Sequence, residues 1–126
     1  MTKPSYADPL DLPCGVQLKN RFGKSAMTEA LAHADDAPNQ AHQKLYERWS
    51  HGGMALQVTG NVMVDKRYLE RPGNVVVQDE GELAALQDWA HAAKSGGSQI
   101  WKQISHPGIQ SPIVVNTRPL SPSAEK

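Results

Sequence analysis

Three stretches hold the residue types that could do chemistry. They are Gly23-Lys24-Ser25-Ala26-Met27-Thr28-Glu29, the apolar run from Leu56 to Asp65 broken by Gly60 and Asn61, and Gln103-Ile-Ser-His-Pro-Gly108. The first has the outline of a phosphate-binding loop opening a helix, and Asp65 could serve as its magnesium residue. Such a loop needs a glycine five residues before Gly23, so that bare backbone N–H groups can surround phosphate oxygens, but Leu18 stands there. Leu18-Lys-Asn-Arg-Phe22 is also no buried strand. Nucleotide hydrolysis is therefore set aside. Gln103 offers an amide that donates and accepts at once. His106 precedes Pro-Gly and reads as a structural loop histidine. Glu29 has no evident second carboxylate, so acid–base work is not assigned to it. His33, His42, His51 and His91 lack metal-ligand spacing and read as surface residues.

The elements that must position these groups repeat. Gly52-Gly53 and Gly96-Gly97 each close a helical stretch and open a strand-like one. The spacing predicts a helix over 39–51, with Ala41, Leu45 and Trp49 on one face. Asp35-Asp36-Ala-Pro38 supplies its start, with carboxylates near the positive end of the helix dipole and a proline in the first turn. A second helix is expected over about 81–94, with Leu83, Leu86, Ala90 and Ala93 as its stripe. Trp49 and Trp89 are expected to be packing anchors. Strands are expected at Lys24–Thr28, Met54–Val64, Val75–Val77 and Gln99–Ser105, with a short hairpin over Leu10–Arg21 before them. Residues 1–9 read as a loose arm. Residues 107–126 hold four of the nine prolines and read as an irregular tail. Strands joined through helices run parallel, which makes this an α/β protein with its ligand groups at one end of the sheet.

Composition narrows the class. The 126 residues make one domain at most, and 13 basic residues balance 13 acidic ones without a block of like charge. No nucleic-acid partner and no membrane partner is expected. No apolar run approaches the ~18 residues of a membrane span. Cys14 is the single cysteine, which excludes an internal disulfide. The start of the chain lacks an apolar signal region, so a cytoplasmic location is expected.

Six segments, taken in order, carry a resemblance. They are Leu18-Lys-Asn-Arg-Phe22, Ser25-Ala-Met-Thr-Glu29, Leu45-Tyr-Glu-Arg-Trp-Ser50, Thr59-Gly-Asn-Val-Met-Val-Asp65, Pro72-Gly-Asn74 and Trp101-Lys-Gln-Ile-Ser-His-Pro-Gly108. Together the chain resembles the N-terminal portion of the Old Yellow Enzyme family, the FMN-dependent ene-reductases and NADH:flavin oxidoreductases. The resemblance implies an incomplete (β/α)8 TIM barrel: an N-terminal hairpin plugging the barrel bottom, then about three parallel strands and two helices. A full barrel of this kind takes about 250 residues. It also implies FMN as cofactor, NAD(P)H as reductant, and hydride transfer through the flavin to an activated alkene or similar small-molecule acceptor.

Carried over by position, the resemblance places Ser25, Ala26, Met27 and Thr28 along the isoalloxazine ring, with the Thr28 hydroxyl near its O4 and N5 edge. Gly60 would present bare backbone to the ring, and Gln103 would reach its pyrimidine edge. Relatives commonly carry Pro for Ala26 and Ala for Gly60, and both changes read as tolerable. One branch has a tyrosine where Ala30 stands, and relatives commonly have Arg or Lys where Ile109 stands. The family's substrate-binding His-x-x-His or His-x-x-Asn pair, proton-donating tyrosine, flavin-contacting arginine and phosphate loops fall beyond Lys126, so no catalytic residue is assigned. The chain is expected to be a truncated barrel. Its alternative is a non-catalytic or split-barrel piece that needs a complementing chain or a homo-oligomer to cover its open edges.

Overall fold

The computed structural model describes residues 3–123, so residues 1–2 of the expected arm and 124–126 of the expected tail lie outside the described residues. A small antiparallel hairpin comes first, β1 (Leu10–Asp11) with β2 (Gln17–Leu18). The parallel part follows as β3 (Gly23–Lys24), α1 (Gln40–His51), β4 (Leu56–Met63), β5 (Val75–Val76), α2 (Leu83–Lys94) and β6 (Gln99–Ser105). A single 3₁₀ turn, Gly108–Gln110, opens the C-terminal segment.

The sheet is built around β4. Along one edge β6 pairs with it in parallel from Leu56↔Gln99 to Met63↔Ser105. The opposite edge is shared: β3 pairs with its beginning, at Gly23↔Leu56, and β5 with its end, at Met63↔Val76. Between Val58 and Asn61 the register to β6 shifts, so that Thr59 and Gly60 together oppose Lys102. This two-against-one bulge reverses the alternation of β4. Gln57 and Val62 face the helices: Gln57 donates to the Ala93 carbonyl at 3.0 Å and Val62 joins the helix-side core. Val58, Asn61 and Met63 then share the other face with Trp101, Gln103 and Ser105 of β6.

Both helices cover one face of the sheet, and the core between them is aromatic. Tyr46 and Trp89 meet edge-on with ring centres 5.1 Å apart, and His42 lies 5.1 Å from Trp89. Val62, Val75 and Ala93 complete this cluster. The buried stripe of α1 is therefore His42, Tyr46 and Ser50, one residue round from the expected Ala41, Leu45 and Trp49. Packing rather than hydropathy selects it. The rings of His42 and Tyr46 fill the volume against Trp89, and the Ser50 hydroxyl accepts from the Gly96 N–H at 2.9 Å where the helices end side by side. Leu45 and Trp49 flank the core half-buried. On α2, Trp89 and Ala93 are the buried residues, while the expected stripe member Leu83 sits exposed in the first turn.

Helix α1 is capped by Asn39, not by Asp35 or Asp36. Asn39 Oδ1 accepts from the Ala41 N–H at 2.9 Å, and the Asn39 N–H donates to His42 Nδ1 at 3.2 Å. This reciprocal box satisfies two otherwise orphaned donors at the helix start. His42 is fully buried, against the expectation of a surface histidine. Of the glycine pairs, Gly53 (φ 105°) and Gly97 (φ 83°) take the left-handed conformation that ends each helical run. Lys19 Nζ donates to the carbonyls of Ser50 at 3.1 Å and Gly96 at 2.6 Å. One cation thus satisfies the carboxyl ends of both helical runs and ties them to the hairpin. The C-terminal segment is also anchored, since Ser111 Oγ donates to the Leu69 carbonyl at 3.0 Å and Val115 packs on Met63, Leu69 and Val76.

Candidate functional site

The end of β4 furthest from the hairpin is crossed by the chain itself. The expected strand Lys24–Thr28 leaves the ladder after Lys24. Beyond that point the edge of β4 belongs to β5, and residues 25–30 pass out between the two short strands. The crossing is tight. A Cβ on Gly60 would lie 2.5 Å from the Met27 carbonyl oxygen, 2.6 Å from Thr28 Cα and 2.5 Å from Glu29 Oε2. The space beside Gly60 is thus filled by residues 27–29. That is a demand for glycine made by the chain's own main chain, separate from the approach of a flat ligand. In place of a ladder partner, the Gly60 N–H donates to Glu29 Oε1 at 3.1 Å.

Glu29 is the hub beneath this crossing. Its Oε1 also accepts from the Tyr46 hydroxyl of α1, and Lys24 Nζ lies 3.2 Å from that hydroxyl. The Lys24 ammonium is buried over two rings, 4.9 Å from the centre of Tyr46 and 4.6 Å from that of Trp49. Burial pushes the Lys24 pKa down, and the nearby Glu29 charge opposes this. Burial, then the hydrogen bond and charge of Glu29, hold the Tyr46 phenol well above its usual range. The trio fixes the outgoing segment to α1.

On the inner face a second hydrogen-bond chain crosses the sheet. Thr28 Oγ1 donates to Glu70 Oε2 at 2.6 Å, and Asn61 Nδ2 donates to the same oxygen at 2.8 Å. Gln103 Nε2 donates to Asn61 Oδ1 at 2.6 Å, and the Gln103 N–H donates to Thr59 Oγ1 at 2.9 Å. Arg71 donates to the other Glu70 oxygen at 3.0 Å. Partial burial works to raise the Glu70 pKa, but the bonds from Thr28 and Asn61 and the Arg71 charge outweigh it and hold the carboxyl below its usual range.

Two of the expected site residues, Thr28 and Gln103, therefore meet in one network, from the segment that follows β3 and from β6. Met27 is exposed on the same outgoing segment, as is Ser25; Ala26 is half-buried and Gly60 is buried in the bulge. Sequence reasoning missed Asn61, Glu70 and the Glu29–Tyr46–Lys24 trio. Asn61 was legible as a polar residue inside an apolar strand. Glu70 lies in an irregular stretch before Arg71-Pro72-Gly73, where no periodicity marks it. Among the described residues no group of three or more His, Cys, Asp or Glu stands together as a metal site, and no helix is long and apolar enough to cross a membrane.

Parallel strands with helices on one face and a polar network at their carboxyl ends on the other define a segment of a (β/α)8 barrel of the ligand-binding kind. The NADH:flavin oxidoreductase / NADH oxidase family model matches residues 7–126, and the chain belongs to that family. It is 35% identical over 113 residues to the NADH-dependent flavin oxidoreductase iliE of Hypocrea jecorina, covering 86% of this chain and 28% of that protein. To the NADH:fumarate oxidoreductase of Klebsiella pneumoniae it is 28% identical over 118 residues, covering 92% of this chain and 13% of that one. Among solved structures, morphinone reductase superposes with a TM-score of 0.85 at 21% identity, over 99% of this chain and 33% of that one. The Old Yellow Enzyme homologue of Zymomonas mobilis gives 0.84 at 23% identity, over 97% and 34%. The fold is thus the N-terminal part of an Old Yellow Enzyme barrel, here unclosed, and the chain spans about a third or less of the length of these relatives.

Proposed function

We propose that this chain provides one side of an FMN site in an oxidoreductase that takes hydride from NAD(P)H and passes it to an activated alkene or similar small-molecule acceptor. The observation that carries this reading is the single network joining Thr28 to Gln103 across the inner face. Its donor set suits a flavin. Gln103 is exposed and keeps its Oε1 and a second Nε2 hydrogen beyond the bond to Asn61, which matches the alternating N–H and C=O groups of a pyrimidine edge. Thr28 keeps lone pairs beyond its bond to Glu70. Ser25, Ala26 and Met27 line the outgoing segment, and Gly60 holds that segment close to β4.

Bound flavin supplies the hydride chemistry, and the residues of this chain bind and orient the ring and set its hydrogen-bond surroundings. The test is flavin binding by the full chain, followed by visible absorbance and flavin fluorescence. Binding weakened by Thr28→Val and by Gln103→Leu supports the site; binding indifferent to both overturns it.

A second reading has its own observation. On β6, Trp101 is 52% exposed on the inner face and Ile104 is 68% exposed on the outer one. Such a strand suits a chain that works only when a complementing chain covers it. Flavin binding that appears only on co-expression with the remainder of a family barrel would favour this reading.

A further inference from the structure

We infer that Tyr46 is a positioning residue for the segment proposed to face the flavin: from the helix side of the sheet, its hydroxyl clamps both ends of the span Ser25–Thr28. This rests on the flavin reading above. The phenol oxygen accepts from Lys24 Nζ at 3.2 Å, and the phenol hydrogen goes to Glu29 Oε1. A lysine ammonium has no lone pair to offer, so the single hydroxyl hydrogen is left for the carboxylate. Lys24 and Glu29 are the residues immediately before and after Ser25–Thr28. One atom of α1 thus holds both feet of the span that carries most of the expected cofactor residues.

The clamp accounts for the path of the span. Side chains an odd number of residues apart lie on opposite faces of an extended strand. Lys24 and Glu29 are an odd number apart, yet both reach Tyr46 on the helix side. The chain between them cannot run straight, and it leaves the ladder after Lys24. The resulting bow leaves Met27 52% exposed and sends Thr28 to Glu70 on the inner face. Each foot also has a hold of its own. Lys24 is buried over the rings of Tyr46 and Trp49, and Glu29 Oε1 takes the Gly60 N–H at 3.1 Å. The Tyr46 hydroxyl is the bond that joins the two feet. Its ring does separate work, packing edge-on against Trp49 and Trp89 in the helix-side core.

Two measurements on the full chain test the inference. The first needs no flavin. Tyr46→Phe keeps the ring and opens the clamp, so the backbone amide signals of Ser25–Thr28 should shift or broaden while those of β6 stay in place. Lys24→Met opens the clamp from the other foot and should move the same signals. Ser50→Ala is the control: it removes the acceptor of the Gly96 N–H from the same buried stripe of α1 and leaves the clamp closed. Span signals that stay in place in Tyr46→Phe, or that move equally in Ser50→Ala, overturn the inference. The second measurement is FMN affinity, followed by flavin fluorescence at a temperature where every variant is folded. Tyr46→Phe should weaken binding about tenfold, the worth of one hydrogen bond to a charged group. Ser50→Ala should leave it unchanged. Lys24→Met should weaken binding alone but cost nothing further when added to Tyr46→Phe, because both act through one hydroxyl. Equal affinity in Tyr46→Phe and the parent, or additive losses in the double variant, overturn the inference. If the parent binds no FMN, the flavin reading fails instead, and the span signals still decide whether Tyr46 clamps Ser25–Thr28.

Discussion

Gly60 and Thr28 are in main-chain contact: a Cβ on Gly60 would stand 2.6 Å from Thr28 Cα. The segment that carries the candidate site is therefore held to the central strand by the absence of a side chain. Two of the three nearest atoms are backbone, so a rotamer change cannot relieve a clash there. Gly60→Ala is expected to destabilise the chain by about 2–3 kcal/mol, the usual cost of overpacking a tight site. It should also displace Thr28 from Glu70. Urea unfolding gives the first quantity. The chemical shifts of Thr28 and Asn61 report the second, and a variant of wild-type stability with both signals unmoved would contradict the crossing.

Tyr46 connects that segment to α1. Its hydroxyl donates to Glu29 and lies 3.2 Å from the buried Lys24 amine. Tyr46→Phe keeps the ring and its contacts to Trp49 and Trp89 but takes from the Glu29 side chain one of its two donors, leaving only the Gly60 N–H. The expected loss is about 1.5–3 kcal/mol, since the bond is to a charged group. In a double-mutant cycle with Glu29→Gln most of that loss should disappear, because the second change removes the stranded charge. Additive losses would show that the two residues act independently.

His42 makes the stability depend on pH. Burial lowers its pKa from the ordinary 6.5, with Glu29 opposing and His33 assisting. The folded chain therefore resists a proton that the unfolded chain takes up. Stability is unaffected by this group above about pH 6.5 and falls as the pH drops below that value. His42→Gln preserves an acceptor for the Asn39 N–H, because glutamine suits the third helical position of a capping box. The variant is expected to lose the His42 part of the decline between pH 6.5 and pH 5, and unfolding midpoints at several pH values measure it. A slope equal to that of the parent would assign the acid sensitivity elsewhere.

The order of elements was legible because its signals are local. Helix ends coincide with Gly52-Gly53 and Gly96-Gly97, β6 matches the expected Gln99–Ser105, and the hairpin falls inside Leu10–Arg21. What could not be read locally was decided by neighbours distant in sequence. The expected strand Lys24–Thr28 stops at Lys24 because β5, some fifty residues on, takes over the same edge of β4. The face of α1 turned by one residue because Trp89 offered its volume to His42 and Tyr46. In the site, Thr28 and Gln103 stood out through motif and residue type. Glu70, which links them, has no local signature, and only the folded chain brings it to within 2.6 Å of Thr28.

Ala30, just past the crossing, holds a conformation that disfavours side chains. Its φ is 54°, in the left-handed region, where a Cβ crowds the following carbonyl at a cost of roughly 1–2 kcal/mol. The position is locked from the other side by Gly73, where a Cβ would lie 2.8 Å from the Ala30 carbonyl oxygen, and by the Ala32 N–H donating to the Gly73 carbonyl at 3.0 Å. The surrounding structure thus imposes the turn on Ala30. Replacing it with glycine relieves the crowding but adds freedom to the unfolded chain, which offsets part of the gain. Ala30→Gly is therefore expected to stabilise by about 0.5–1 kcal/mol. Ala30→Val, with a branched Cβ in the same conformation, should destabilise. Unfolding midpoints for the two variants must shift in opposite directions; a common direction would show that φ at this residue relaxes freely and that Gly73 does not hold it.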